Sequence, residues 1–278
     1  MFRMWCTLWM GLAVMQTTSS ANAENPKTSF LGTSPGGTIR PGFALVEGAP
    51  TYRVEKGSRV VLRSSKLGFK LRGGPSLHDQ FEPAKVAHDQ VDRSWTQVWG
   101  ECQKVRDRHN QMRVSLAGVS DAERRLDIVF RVFDDGISLR YEIPRQSGLG
   151  AIEIDEELTE FRMTADHRAW WIPAFQPNRY EYRYTDSPLS AMDKVHTPVT
   201  LQTSDGLLLS IHEAALTDFS SMALARKADF TLQAELFPWS DGVKVRGDLP
   251  LRSPWRTIQI AEQAGDLIES NLILNLNE

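Results

Sequence analysis

The 278-residue sequence has little of several features that define common protein classes. It contains only two cysteines, Cys6 and Cys102, which excludes a disulfide scaffold and a cysteine-based zinc site. Its formal net charge of −3 offers no basic excess to neutralise phosphates, so nucleic acid is not an expected partner. A hydrophobic fraction of 41% excludes a disordered chain and allows a sizeable core.

Several catalytic motifs are absent as well. The one Gly-x-Ser-x-Gly match, Gly32–Gly36, lies in the polar, Gly- and Pro-rich segment 24–42, where no strand-to-helix turn is predicted, and there is no glycine loop of the phosphate-binding kind. The six histidines are scattered, and none stands at a short spacing that would place two on one metal ion. The sequence therefore does not support a serine hydrolase, a nucleotide-binding protein or a histidine-based metal enzyme.

A long apolar run occurs only at the N-terminus. Residues 5–15 are apolar after Arg3, and Ala21–Ala23 has the small-x-small pattern of a cleavage site. The run is too short to span a membrane, so residues 1–23 are predicted to be a signal peptide cleaved after Ala23. The alternative is an ordinary amphipathic N-terminus. Cleavage would leave Cys102 as the single cysteine of a periplasmic or secreted protein without a membrane span.

The remaining chain predicts an all-β fold. Residues 24–42 are rich in polar residues, Gly and Pro, which predicts a flexible N-terminal arm. From Phe43 onward, short alternating apolar segments are separated by turns, with Asp-Gly hairpin signals at 135–136 and 205–206. Roughly a dozen strands with turns every 8–12 residues predict one large two-sheet antiparallel β-sandwich over 43–278.

Three segments of this pattern lead to more specific expectations. A polar loop is predicted from Gly73 to about Arg93, and one short helix over 261–270. Residues 272–277 form an apolar segment that we expect to be a strand. Such a strand either pairs inside the sandwich or continues into further protein.

Acidic residues offer two candidate sites. Asp155–Glu157 could provide paired carboxylates for glycoside chemistry, but a solvated turn face is the simpler interpretation. His212 and Glu213 end an apolar strand and could face a cleft, with a capped turn as the alternative.

Aromatic segments suggest a carbohydrate ligand. Trp170 and Trp171 precede a loop that leads to Tyr180–Tyr184, which we expect to be a strand. On a strand, Tyr180, Tyr182 and Tyr184 would share one side, with Glu181 and Arg183 on the other. Indole and phenol rings can stack on sugars, although aromatic residues also fill sandwich cores. The candidate carbohydrate-facing residues are Trp170, Trp171, Tyr182, His212 and Glu213.

Several segments in order resemble the N-terminal domain of glycoside hydrolase family 97, a family of exported bacterial α-glucosidases and α-galactosidases. The segments that carry this resemblance are Trp95–Glu101, Arg106–Asn110, Phe130–Glu142, Leu158–Phe161, Asp166–Pro173, Glu181–Thr185, Asp205–Gly206, His212–Asp218, Ser253–Ile258 and Leu274–Glu278. They cover nearly all of the chain from Phe43 to Glu278, and most of the tryptophans lie within them.

The resemblance implies a super-sandwich of the galactose-mutarotase type, followed in the family by a catalytic (β/α)8 barrel and a small β domain. It also implies a calcium ion at the active site, with one glutamate ligand lent by the sandwich. That residue corresponds to Glu181, although residues 174–180 differ from the acidic loop usual in the family.

The resemblance therefore predicts a sandwich domain that acts with an α-glycoside oligosaccharide and with a barrel absent from this chain or separately encoded. Calcium requires six to eight oxygen ligands and glycoside hydrolysis requires two carboxylates, so we expect no hydrolysis by this chain alone. The alternatives are a stand-alone exported carbohydrate-binding module and an inactive paralogue. If a barrel does pack on the sandwich, the isolated domain should expose an apolar patch.

Overall fold

The computed structural model describes Met1, residues 29–177 and residues 180–277. The predicted signal peptide and residues 24–28 of the predicted arm lie outside these ranges, apart from Met1. The first half of the described chain contains β1 (Ser29–Leu31), β2 (Ile39–Val46), β3 (Ala49–Lys56), β4 (Arg59–Lys66), β5 (Phe69–Leu71), β6 (Phe81–Thr96), β7 (Lys104–Gly118), β8 (Arg125–Phe133), β9 (Gly136–Ile143), β10 (Ala151–Glu157) and β11 (Glu160–Arg162).

The second half contains β12 (Arg168–Trp171), β13 (Thr185–Pro188), β14 (Lys194–His196), β15 (Val199–Gln202), β16 (Leu208–Ala214), β17 (Met222–Lys227), β18 (Thr231–Leu236), β19 (Val245–Asp248), β20 (Leu251–Arg252) and β21 (Trp255–Ala261). Two short helices follow, α1 (Ala264–Glu269) and α2 (Leu272–Leu276). The fold is all-β, as the alternating pattern predicts.

One large sheet forms the first layer of the sandwich. Its strands run in the order β13-β12-β15-β16-β21-β9-β8-β7-β6, and β20 adds to β9. Three smaller sheets make up the second layer, with the orders β1-β2-β3-β4, β19-β10-β5 and β11-β18-β17-β14. Every pairing between the described strands is antiparallel.

The core lies between the two layers. Alternate residues of β8 and β9, such as Phe130 and Tyr141, point inward and are fully buried. Phe130 meets Phe43 of β2 and Tyr52 of β3, each with ring centroids 6.3 Å apart. These aromatic contacts attach the second layer to the inner face of the large sheet.

The helices cover part of the opposite, outer face of the large sheet. Leu272 and Leu276 of α2 pack with Val129, Phe133 and Trp255 in a second, smaller core. Trp255 is fully buried there, and the guanidinium groups of Arg131 and Arg140 lie 4.7 and 4.3 Å from its ring. Part of the outer face is therefore an apolar surface on which α2 packs.

The structure corrects three expectations about the elements. Residues 272–277 contain helix α2 rather than a strand, because Leu272 and Leu276 are one helical turn apart and share the buried face. The expected polar loop from Gly73 to Arg93 contains most of β6, an edge strand whose side chains are mostly exposed and therefore do not alternate. The described part of the expected arm contains β1 and the start of β2, with Ile39 in the core.

Candidate functional site

Glu181 lies in a long connection between two paired strands. β12 and β13 are neighbours, and their pairing ends at Trp171 and Thr185. Beyond Trp171 the chain turns toward β14, where Pro173 bridges Val195 and the Ala174 amide donates to the Lys194 carbonyl. Residues 180–184 then have no strand to pair with, so they form a loop.

This loop corrects the expectation that Tyr180–Tyr184 is a strand with its three tyrosines on one side. Tyr180 and Tyr184 are exposed and Tyr182 is half-buried. Glu181 is exposed, and among the described residues no hydrogen bond or ion pair holds its carboxylate. The carboxylate is therefore available to an external ligand.

A row of contacting rings, which we call the aromatic ladder, supports this connection. Tyr180 lies against His196, with ring centroids 4.1 Å apart, and His196 stacks on Phe237 at 5.7 Å. Phe237 in turn stacks on Phe175 at 4.3 Å, and the Lys194 ammonium lies over the Phe175 ring at 5.0 Å. Burial lowers the pKa of His196, so its ring is neutral in the ladder near pH 7.

The two tryptophans before the loop are both half-buried and occupy opposite faces of β12. Trp171 packs against the core, and its Nε1 donates to Ser187 Oγ at 3.0 Å. The Arg168 guanidinium covers Trp170 at 4.7 Å and also donates to Asp186 at 2.8 Å. Neither indole offers a bare face comparable to that of an exposed tryptophan.

Glu213 is not carbohydrate-facing. It is buried, its Oε1 accepts the Met222 amide at 2.9 Å, and its Oε2 accepts Arg256 Nη1 at 2.6 Å. Arg256 also donates to both carboxylate oxygens of Glu157, at 2.8 and 2.6 Å. Glu157, Glu213 and Arg256 form a buried triad that ties β10, β16 and β21 together.

The triad also overturns the solvated interpretation of Asp155–Glu157. Asp155 and Glu156 pair with Arg72 and Lys70 at the surface, but Glu157 is buried. His212 points to the outer face of the large sheet, opposite Glu213. Its Nδ1 is enclosed without a hydrogen-bond partner among the described residues, and burial lowers the pKa of His212. His212 and Glu213 therefore do not share a cleft.

Two groups of exposed apolar side chains mark the surface. We name the first the Trp99 surface; it consists of Val98 and Trp99 at the tip of the β6–β7 hairpin, Ile268 of α1 and Leu274 of α2, around a groove of about 870 Å³. The second is a smaller groove of about 600 Å³ beside the exposed Trp239. The expected apolar patch thus corresponds to the first group.

A family model described as Glycosyl-hydrolase 97 N-terminal matches residues 33–278. The chain belongs to glycoside hydrolase family 97. The match is to the family's N-terminal domain and begins ten residues before Phe43, consistent with the start of β2 at Ile39. The sandwich described above is thus the N-terminal domain of a family of glycosidases.

Solved structures and a curated protein are similar to this chain. An enzyme from Pseudoalteromonas sp. strain K8, solved in complexes with panose and with acarbose, is 41% identical to this chain, with a TM-score of 0.87 over 90% of the chain. A β-arabinopyranosidase shares the fold at 21% identity, with a TM-score of 0.77 over 84% of the chain. A probable retaining α-galactosidase of Streptomyces bingchenggensis is 27% identical over 89% of the chain.

The family 97 chain spans only part of these relatives. It covers 38% of the length of both the Streptomyces protein and the Pseudoalteromonas enzyme. Within the described residues no group of three or more His, Cys, Asp or Glu side chains could hold a metal ion. In the same ranges no helix is long and apolar enough to cross a membrane.

The sequence and its family resemblance point to Glu181 and its neighbouring aromatic residues, but not to Phe175, His196 and Phe237. These three come together only through the pairing of β14 with β17 and the course of the loop. A local signal did exist for Trp239, because Phe237–Gly242 combines two aromatic residues with Pro and an Asp-Gly turn.

Proposed function

We propose that this chain is the sandwich part of an exported α-glucosidase or α-galactosidase that packs on a catalytic (β/α)8 barrel and lends Glu181 to a shared calcium site. The observation that carries the proposal is the exposed Glu181 carboxylate, which has no partner among the described residues and sits on a loop fixed by the aromatic ladder. A carboxylate held out in this way is suited to complete a site built largely by another domain.

The described residues around Glu181 fit a calcium site only in part, because they would supply few of its oxygen ligands. Ca²⁺ takes six to eight oxygen ligands, and the described chain brings no cluster of carboxylates to the Glu181 loop. Glu181 would supply one or two of these oxygens, and the remainder would come from the catalytic domain and water. Bound calcium would supply concentrated positive charge next to the substrate.

The Trp99 surface is our candidate for the contact with the catalytic domain. Trp95 Nε1 donates to Asn275 Oδ1 at 2.9 Å, which joins the β6–β7 hairpin to α2. In relatives that continue beyond the matched region, the polypeptide would leave from α2, beside Trp99 and Leu274. An exposed apolar groove at that point is suited to pack against the next domain.

The described carboxylates give no pair suited to glycoside hydrolysis. Such a pair must flank the scissile bond in a cleft, whereas Glu157 and Glu213 are buried on Arg256. We therefore expect the isolated chain to be inactive on a nitrophenyl α-glucoside.

A chimera tests the role of Glu181. Residues 29–278 of this chain would replace the matching N-terminal part of the Pseudoalteromonas enzyme, and hydrolysis of panose and nitrophenyl α-glucoside would be followed with calcium or EDTA. We expect calcium-dependent activity that Glu181→Gln lowers by about tenfold or more, with a higher calcium requirement, because the variant loses a charged ligand.

The matched control is Glu47→Gln, an exposed glutamate in the β2–β3 turn, which should leave activity and calcium requirement unchanged. Turnover by the isolated chain, or a Glu181→Gln chimera with unaltered calcium dependence, would contradict the proposal.

Export forms part of the same proposal. It is supported by the short apolar run at residues 5–15 and the Ala21–Ala23 pattern, which are typical of a signal peptide that would direct the mature protein to the periplasm or outside the cell. A stand-alone carbohydrate-binding module remains the second candidate function, and the groove beside Trp239 is the observation that favours it.

A further inference from the structure

A groove outside the Glu181 loop lies between two surface connections. The β16–β17 connection contributes Asp218, Phe219 and Ser220, and the segment from Phe237 to Arg246 forms the facing wall. The groove has a volume of about 600 Å³, within the range of about 300–1,000 Å³ usual for small-ligand sites. We call it the Trp239 groove.

Trp239 is presented to this groove by a hydrogen-bonded turn. The Trp239 amide donates to the Val243 carbonyl at 2.7 Å, and the Gly242 amide donates to the Trp239 carbonyl at 2.9 Å. Gly242 has φ of +89°, which a residue without a side chain adopts easily. Trp239 as a whole residue is 61% exposed, so the residue is accessible while its backbone is fixed.

The wall formed by the β16–β17 connection is also fixed. Ser220 Oγ donates to the Phe237 carbonyl at 2.7 Å, which ties the two walls together. Phe219 is half-buried and packs toward Phe69 in the core at 6.4 Å. Ala215 and Asp218 hold left-handed φ values of +55° and +49°, a strain that persists only where the surrounding structure enforces it. The groove is therefore organised before any ligand arrives.

The charges in the groove are largely compensated. Lys244 pairs with Glu235 at 3.1 Å, and Arg246 pairs with Glu153 at 2.8 Å and with Asp241. The Arg246 guanidinium also lies over the Trp239 ring at 5.9 Å. With both cations paired, the groove does not favour an anion, and it offers many donors and acceptors to a neutral polyhydroxyl ligand.

We propose that the Trp239 groove binds one or two rings of a neutral oligosaccharide, with the Trp239 indole stacked on a sugar face and Asp218 and Arg246 hydrogen-bonded to hydroxyls. An indole combines an apolar face with a polar edge, which matches the alternation of C–H faces and hydroxyls on a sugar. The Asp218 carboxylate is exposed at the rim and has no ion-pair partner among the described residues.

The groove is separate from Glu181 but not remote from it. Phe237 lines the groove and also stacks on Phe175 and His196 in the ladder under the Glu181 loop. A longer glycan could therefore contact both. Only the choice of α-glucan probes rests on the proposed function, whereas the groove needs neither calcium nor a barrel.

Calorimetric titration of the mature chain (residues 24–278) with maltose and panose, in EDTA, tests the proposal. We expect weak saturable binding that Trp239→Ala weakens by about tenfold or more. Trp99→Ala is the matched control, because it removes another exposed indole, on a residue that is 87% exposed, and it should bind as the wild type does. Because calcium is absent, failure of the calcium proposal would not affect this result.

Three titration outcomes would overturn the inference. They are the absence of binding to either sugar, equal losses in Trp239→Ala and Trp99→Ala, and unchanged binding by a folded Trp239→Ala protein. In the chimera, protection of Trp239 from oxidative labelling without added sugar would show that the groove is a contact between domains, which also rejects a sugar site.

Discussion

At the scale of single residues, the buried triad is the most demanding feature of the fold. Arg256 carries one positive charge and faces two carboxylates, Glu157 and Glu213, all of them shielded from water. A buried group of this kind is costly to break, because any partner left behind keeps its charge without solvent. The triad joins strands that are distant in sequence, so it favours this one arrangement of the sheets.

We expect Arg256→Met to destabilise the chain by about 3–5 kcal/mol, because two buried carboxylates lose their cation. Urea denaturation measures the loss. Arg252→Met, on a side chain that is 62% exposed, is the control and should change stability by less than about 1 kcal/mol. If Arg256→Met lowers the stability no more than Arg252→Met does, the triad contributes little to the stability of the fold.

Glu213→Gln should behave differently. Burial raises the pKa of Glu213 above its ordinary value of 4.5, so the folded chain binds this proton more tightly than the unfolded chain. The resulting stabilisation is present below pH 4.5 and is lost as the pH rises through the raised pKa. Glu213→Gln should therefore gain stability relative to wild type between pH 4.5 and 8. A constant difference across this range would contradict the pKa shift.

At the scale of secondary-structure elements, α2 is a short helix that depends on its tertiary contacts. A helix of five residues is not stable alone, so its hydrogen bonds must be supported by packing. Leu272 and Leu276 provide the packing, while Asn275 Nδ2 donates to the Arg106 carbonyl and the Ala215 amide donates to Asn277 Oδ1.

We expect Leu272→Ala to destabilise the chain by about 2–4 kcal/mol, because it leaves a cavity over Trp255. Leu274→Ala, on the exposed side of the same helix, should cost less than about 1 kcal/mol. Chemical denaturation compares the two variants directly. Equal effects would show that α2 does not bury the face assigned to it.

Sequence patterns predict the elements in which apolar and polar residues alternate. β8 and β9 alternate strongly around the Asp-Gly turn, and the structure confirms both. β6 could not be predicted, because an exposed edge strand lacks alternation, and residues 180–184 alternate but find no neighbouring strand. The Glu181 loop was located through the family resemblance, whereas the aromatic ladder and the Trp239 groove depend on contacts between distant segments.

At the scale of the whole molecule, the Trp99 surface leaves a large apolar groove open to water. Val98 and Trp99 are 99% and 87% exposed, and β6 beside them is a 16-residue edge strand that has no neighbour other than β7 among the described strands of the large sheet. Both features promote association unless another domain covers them.

We expect the isolated chain to self-associate as its concentration rises, and Trp99→Ser to reduce this association. Sedimentation velocity over a concentration series measures the effect, and Trp239→Ser is the control that should associate like wild type. A wild-type chain that is monomeric throughout would remove the support for the Trp99 surface as a contact with the catalytic domain.

The position of β21 has a consequence for the order of folding. It is the last strand in the sequence, yet it lies in the middle of the large sheet, between β16 and β9. Until the ribosome has released residues 255–261, the strands on either side have no hydrogen-bonding neighbour at this position, and Arg256 is not available to Glu157. The two halves of the sheet therefore remain separate during synthesis, and closure of the sandwich waits for the final segment of the domain.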